Sequence, residues 1–425
     1  MIATFRSLRH VNYRLWAMGA LVSNVGTWMQ RTAQDWIVLT QLTHDNAAAV
    51  GIVMSLQFGP QLLLLPLAGS AADRWNRRRL LMCTQAAMGL LALALGLLVL
   101  SGVAVLWHVY VLAFLLGCVT AFDAPARQTF VGELVGETDL ANAVALNATS
   151  FHAARMIGPA VAGILLAGVG AGWAFLINAA SFAAVLLALG FMRTEALHRQ
   201  LQSAVAQRGF LQGLNYVRNR PDLITVLVMM FLVSTFGLNF AIFIPTMAVA
   251  AFRAGPEEFG TLSSVMAVGS VGGALLAARH ARPRLAILLA GAAVFGVGTF
   301  GAAMAPDLWV FGTALLVTGA AAQVFMTSTN SLVQLSTEQG MRGRVMALLL
   351  AIILGCTPLG APLVGWVADV YGPRWSMGVA AASGLAAVLA GLWFLARHGR
   401  RHLHLPLRAG PRGGPRPREA DTNRT

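Results

Sequence analysis

Two opposite charges stand one helical turn apart in an otherwise apolar run, Arg31 and Asp35, on a face that also carries Asn24, Thr27 and Gln34. In hydrocarbon each isolated charge costs about 2.5–3.5 kcal/mol, so the pair calls for mutual contact and a wet cavity. A carboxylate in such a place can alternate between a proton and a cationic partner, the elementary step of proton-coupled transfer. The plain alternative is a neutralised structural pair near an interface. Arg155 is the other expensive charge, with His152 three residues before it. Arg155 could act on Asp35 in one state, bind an anionic group, or bond carbonyls across helices, and His152 could exchange a proton or serve as a bridge. Asp35, Arg31, Arg155 and His152 are therefore the expected proton-coupling set.

These side chains need helices that cross a membrane. The chain has 425 residues, 57% hydrophobic and 11% charged, where an ordinary soluble domain has about 25% charged. A soluble globule is excluded, and the apolar content suffices for about twelve spans of about 20 residues each. Apolar windows place six, at 15–41, 47–72, 80–100, 106–127, 141–167 and 172–192, and six more at 222–250, 258–278, 285–304, 308–333, 344–368 and 375–396. The expected fold is an all-α integral membrane protein of two six-helix bundles, 1–192 and 221–396. A linker at 193–220 carries Phe210, Leu211, Leu214 and Val217 at amphipathic spacing along the membrane surface, and a basic disordered tail occupies 397–425. The first fourteen residues show no small-residue cleavage signal, so insertion without processing is expected.

Every basic residue is Arg, 30 of them, with no Lys. That excludes a P-loop and ATP-driven pumping by this chain alone. With both termini on one side, 26 of the 30 Arg face that side, which the positive-inside rule assigns to the cytoplasm. The net charge of +14 is thus an orientation signal, and no nucleic-acid partner is expected. Trp107, Trp173, Trp309 and Trp375 fall at the opposite ends of spans, at headgroup level. Cys83, Cys118 and Cys356 are scattered in apolar runs and imply neither disulfide nor metal. Gly296-Val-Gly-Thr-Phe-Gly301 matches a dinucleotide fingerprint but lies inside an apolar span with no strand before it. No cofactor is expected, no catalytic constellation supports an enzyme, and the expected partners are a small-molecule substrate, protons and the bilayer around a monomer.

At an offset near 202 the halves echo each other: Gly158-Pro159-Ala-Val-Ala-Gly163 faces Gly360-Ala-Pro-Leu-Val-Gly365, and Trp173 faces Trp375. Duplicated halves suit alternating access, in which two bundles rock about a mid-membrane site. Between the second and third spans, Gly69-Ser-Ala-Ala-Asp73-Arg74-Trp-Asn-Arg77-Arg78-Arg79 resembles the cytoplasmic loop signature of the major facilitator superfamily. Gly69 would allow close packing, Asp73 could sit on the positive N-terminal end of another span, and Arg74 could pair with a carboxylate, with Arg77 and Arg78 as the basic cluster of the same gate. The second-half equivalent, Gly273–Arg284, has Ala277 in the Asp slot, so a one-sided gate is expected. Asp123 and Arg127 close the fourth span, and Arg342 and Arg344 open the eleventh, as further helix-end and gate contacts.

Gly158, Pro159 and Gly163 resemble the Gly-Pro motif of facilitator antiporters, with Ala replacing two of the usual Gly. The run Asn24–Gln30 with Ala33–Trp36, then Asp123–Gln128 and Arg342–Met346, is similar to the bacterial branch that includes enterobactin-type siderophore exporters and macrolide efflux proteins. That resemblance covers residues 1 to about 396 and implies rocker-switch export with proton antiport. An uncoupled facilitator or importer and a non-transporting scaffold or sensor stay open beside it. The expected substrate cavity draws on Asn24, Trp28, Gln34, Gln57, Gln61, Phe236, Asn239, Gln323 and Asn330.

Overall fold

The computed structural model describes residues 3–198, 209–279 and 284–398. Among them ten helices are long and apolar enough to cross a membrane. The two other expected spans are helical too. α1 (Val11–Ile37) runs on through a π turn, Val38–Leu42, and its hydropathy is diluted by the polar face around Arg31. The second expected span is broken at Leu64 into α2 (Ala47–Leu63) and α3 (Leu65–Arg74), beside Pro60 and Pro66.

α4 (Arg77–Leu100), α5 (Leu106–Val135), α6 (Leu140–Gly168) and α7 (Ala171–Phe191) complete the first half. α8 (Gly209–Arg218) follows, then the seventh expected span as α9 (Pro221–Leu232) and α10 (Phe240–Thr246), each continued by a π segment. α11 (Pro256–Ala278), α12 (Leu285–Ala303), α13 (Leu308–Ser336), α14 (Arg342–Tyr371) and α15 (Pro373–His398) complete the second. Gly170 and Gly372, 202 residues apart, take φ of +87° and +96° in the turns after α6 and α14, a conformation L side chains rarely adopt.

Within the first half α1 packs on α6 and α7, α4 on α5 and α7, and α2 on α5. Within the second, α12 and α13 pack together, α11 on α13, and α12 on α15. Two seams join the halves, α2 along α14 and α6 along α11. Tyr13, Trp16, Phe130 and Leu134 form a buried cluster at the end of the molecule that holds the termini, the near end. Outward-facing Leu90, Leu97, Val297, Phe300 and Leu389 stay exposed, as an apolar lipid-facing surface would. Trp107, Trp173, Trp309 and Trp375 are exposed in the first turns of α5, α7, α13 and α15, all at the opposite, far end.

Two expectations change. The fourth span does not close at Asp123–Arg127. α5 runs through Pro125 to Val135, because Phe130 and Leu134 bury in the near-end cluster and Thr129 donates to the Pro125 carbonyl. α8 does not present all its apolar side to the membrane surface: Val217 is buried and Gly213 lies against the Arg344 backbone of α14, while Leu214 is exposed. The side chains of Phe210 and Leu211, and residues 399–425 of the expected tail, lie outside the described residues.

Candidate functional site

Gly158 decides how α6 meets α1. A Cβ there would press on the Cβ of Trp28 and come within 2.9 Å of the Met29 nitrogen, so only glycine lets the two backbones approach this closely. One turn earlier on α6, Arg155 lays its guanidinium 5.2 Å from the Trp28 ring centre. From α1, Arg31 places its own guanidinium 5.2 Å from the same ring and 5.4 Å from Phe58 of α2. Phe151 meets Trp28 edge-on at 5.7 Å. The result is an aromatic platform carrying two cations, each attracted by the negative faces of the rings.

The expected contact between Arg31 and Asp35 is not made, since no ion pair within 4 Å joins them. Long side chains on a helix lean toward its N-terminus. Arg31 therefore turns back to Trp28, away from the carboxylate in the next turn. Its Nε is buried without a hydrogen-bond partner among the described residues.

Beside the platform a cavity of ≈ 290 Å³ opens between α6 and α11, lined by His152, Arg155, Met156 and Ser270, with Gln323 reaching in from α13. That volume approaches the lower end for small-molecule sites. Six of its eleven lining residues are Ala, Val, Leu or Met, and Thr149, His152, Arg155, Ser270 and Gln323 supply the polar groups.

Most of the other expected cavity residues are used elsewhere. Asn24 accepts from Arg127 at 3.3 Å. Gln34, Gln57 and Asn239 are buried in the packing. Asn239 donates to the Thr235 carbonyl where the seventh span breaks, and Gln61 donates to the Gln57 carbonyl. Asn330 donates to the Met326 carbonyl, and Phe236 packs against the apolar core. A polar side chain in a helix that has a carbonyl one turn back can satisfy itself locally, as Gln61, Asn239 and Asn330 do in this conformation.

The seams are tight at the far end. Gly163 of α6 meets Gly260 of α11, where a Cβ would lie 2.8 Å from the Gly260 Cα. On the other seam, added Cβ atoms at Gly51 and Gly365 would strike the Ala361 and Ala47 backbones. Pro159 presents its carbonyl to Gly260, 2.9 Å from a Cβ built there. Trp36 stacks on Phe259 across the halves, 5.2 Å between centres and 20° between planes. Three hydrogen bonds between described residues cross the α2–α14 seam. Asp369 accepts from the Ala47 and Ala48 amides at 2.6 and 2.9 Å, and Ser55 donates to the Pro358 carbonyl at 2.8 Å.

At the near end the expected gate residues bond within their own half. Arg77 pairs with Glu133 at 2.5 Å, Arg78 donates to the Leu189 and Gly190 carbonyls, and Arg127 pairs with Asp123 at 3.1 Å. Asp123 also accepts from Thr84 and Gln85. Arg74 is exposed, and the Asp73 side chain lies outside the described residues. Gly69 makes no close approach, because a Cβ there would meet open space. Arg344 donates to the Met341 sulfur, and the buried Arg342 Nε has no hydrogen-bond partner among the described residues. No ion pair among described residues joins the halves at this end.

Sequence reading missed Glu133, Gly260 and Asp369. Asp369 did carry a signal: it is the single acid of α14 and sits in its last turn, where the helix's own dipole disfavours it. Such a carboxylate needs a partner from another element.

Comparison with known proteins fits this architecture. A family profile described as transmembrane secretion effector matches residues 2–405. The staphyloferrin A transporter of Staphylococcus aureus is 26% identical over 356 residues, 82% of this chain and 87% of the relative. The multidrug efflux pump Tap of Mycobacterium tuberculosis is 27% identical over 372 residues, covering 83% and 86%, and the enterobactin exporter of Shigella flexneri 25% over 365 residues, covering 84% and 85%. Among solved structures, a bacterial homologue of the lysosomal transporter Spinster, in an inward-facing occupied conformation, superposes with a TM-score of 0.71 at 15% identity, covering 96% of this chain and all of that one. A D-xylose–proton symporter gives 0.70 at 13% identity, covering 90% and 96%. With its helical seams, its duplicated glycine crossings and a family match over nearly its whole length, the chain belongs to the transmembrane secretion effector family of major facilitator transporters.

Proposed function

We propose that the protein exports amphipathic small molecules, drug-like compounds or siderophores, by alternating access coupled to proton antiport. It does so as a monomer in the cell (inner) membrane with both termini cytoplasmic. The observation that carries this reading is the asymmetry of the interface. The halves meet closely at the far end through Gly163–Gly260, Trp36–Phe259 and the Asp369 bonds, while the cavity lined by His152 and Arg155 lies between α6 and α11 on the near side of Gly163. With the termini in the cytoplasm this is the state that accepts cargo from inside. The siderophore and multidrug cargoes in the relatives' names favour export of such compounds.

In the domain reading that accompanies it, residues 1–192 and 221–396 rock as bodies joined by 193–220. Asp35 is the proton carrier. An ionised carboxylate at this depth costs about 2.5–3.5 kcal/mol, and either a proton or the Arg31 guanidinium removes that cost. Arg31 stands on Trp28 in the present state and reaches Asp35 in the other, so that one switch links the proton to the platform that cargo touches.

The test uses purified protein in liposomes with a pH dye inside, screened with dyes, macrolides and catechol siderophores, and Asp35→Asn as control. Proton movement that requires both cargo and Asp35 is the expected result. Cargo movement without proton movement would make the protein an uncoupled facilitator, and silence across the panel would favour a scaffold.

A further inference from the structure

α2 and α14 run antiparallel along one seam, so the C-terminal end of α14 lies beside the N-terminal end of α2. A helix N-terminus leaves backbone N–H groups without intrahelical partners. In α2 these donors are divided between two sources. The N-cap residue Asn46 accepts from Ala49 at 2.9 Å, from within the same half. Ala47 and Ala48 donate to the two oxygens of Asp369, from the other half. The carboxylate also sits on the positive end of the α2 dipole after leaving the negative end of its own helix.

We infer that Asp369 is the far-side latch of the transport cycle, a positioning residue that holds α2 to α14 while the cavity faces the near side. On the other seam α6 contains no acid, and it meets α11 where Gly163 lies against Gly260. Opening the far side must break both Asp369 bonds and release the Ala47 and Ala48 amides to water. Asp369 is exposed, so the bonds can be exchanged for water at modest cost, as a reversible latch requires. Loss of the latch should raise the far-open to far-closed ratio about threefold to thirtyfold, the range for a helix cap with a dipole contribution.

The inference rests on alternating access, and the test separates the two. Cys83, Cys118 and Cys356 are replaced by Ala. Spin labels are then placed at Val103→Cys and Met304→Cys, exposed at the far end of opposite halves, or at Trp75→Cys and Leu335→Cys, exposed at the near end. Distance distributions are measured in nanodiscs for the otherwise unchanged protein, for Asp369→Ala and for Ala47→Pro. The second variant removes a donor without touching the carboxylate. Proline is favoured at the first helical position, and Asn46 already holds the extended backbone that a following proline demands. Both variants should lengthen the far-end distance and shorten the near-end one. Two populations in the parent protein whose ratio neither variant moves would overturn the latch and leave alternating access standing. A single population in every sample would sink alternating access itself.

Discussion

Gly163 and Gly158 lie five residues apart on α6, and the structure gives them different duties. An added Cβ at Gly163 would stand 2.8 Å from the Gly260 Cα and 3.1 Å from the Pro256 carbonyl oxygen, both backbone atoms of the opposite half. Ordinary contact for a carbon starts near 3.4 Å, so Gly163→Ala requires α6 and α11 to part by about 0.6 Å at the far end. Overpacking of this size costs about 1–3 kcal/mol, which shifts the closed-to-open ratio about fivefold to 150-fold. The open state makes no such contact in the proposed cycle and bears none of that cost. Gly158→Ala instead drives a Cβ into Trp28 and Met29, within one half. Its similar cost falls on every conformation and appears as lost stability. Nanodisc samples would be compared by far-end label distances and by thermal unfolding. Gly163→Ala should open the far side with little change in unfolding temperature, and Gly158→Ala should lower the unfolding temperature with little change in distance. If both melt alike while distances stay put, the assignment of Gly163 to a contact that breaks during transport is wrong.

Four further outcomes follow from the same geometry. Trp36→Ala removes the stack on Phe259 and should favour the far-open state about twofold to tenfold, the value of an aromatic pair, read by the same distances. Glu133→Gln strands the half-buried Arg77 and should cost about 1–3 kcal/mol of stability. Adding Arg77→Gln should cost less than the two single changes combined, which a thermal double-mutant cycle would show. Trp28→Ala removes the platform shared by Arg31 and Arg155 and should weaken apparent cargo affinity about tenfold, while an unchanged affinity would move the binding site elsewhere. Asp35→Asn should abolish cargo-dependent proton movement in liposomes, and its survival would exclude Asp35 as carrier.

Much of the scaffold was legible because hydrocarbon enforces it. A helix in lipid must satisfy its own backbone and present apolar side chains, so spans and their ends follow from composition along the chain. The expected bounds 285–304 and the observed Leu285–Ala303 differ by one residue. The internal repeat was legible for a related reason. Gly158 and Gly360 each press on a neighbour in their own half, Trp28 and Thr235, and Gly163 and Gly365 each press on the other half. Small residues at close crossings cannot be replaced without separating helices, and duplication carries that constraint into both copies.

Partners of polar side chains were not legible. Sequence places Arg31 and Asp35 one turn apart, yet whether the guanidinium reaches forward to the carboxylate or back to Trp28 depends on Phe58 and Arg155, which arrive from α2 and α6. Gln57 and Asn239 look like cavity residues in one dimension, and in this conformation both side chains are buried. Asp369 shows the division most plainly. Its misfit with its own helix dipole is written in the chain, but the amides that answer it lie 321 and 322 residues away. What the sequence by itself determined is which segments enter the membrane, where they may approach closely and which charges need explaining. Tertiary structure alone decided which charge meets which donor, because hydrogen bonds act over about 3 Å and only the packing of the two halves brings the groups that close.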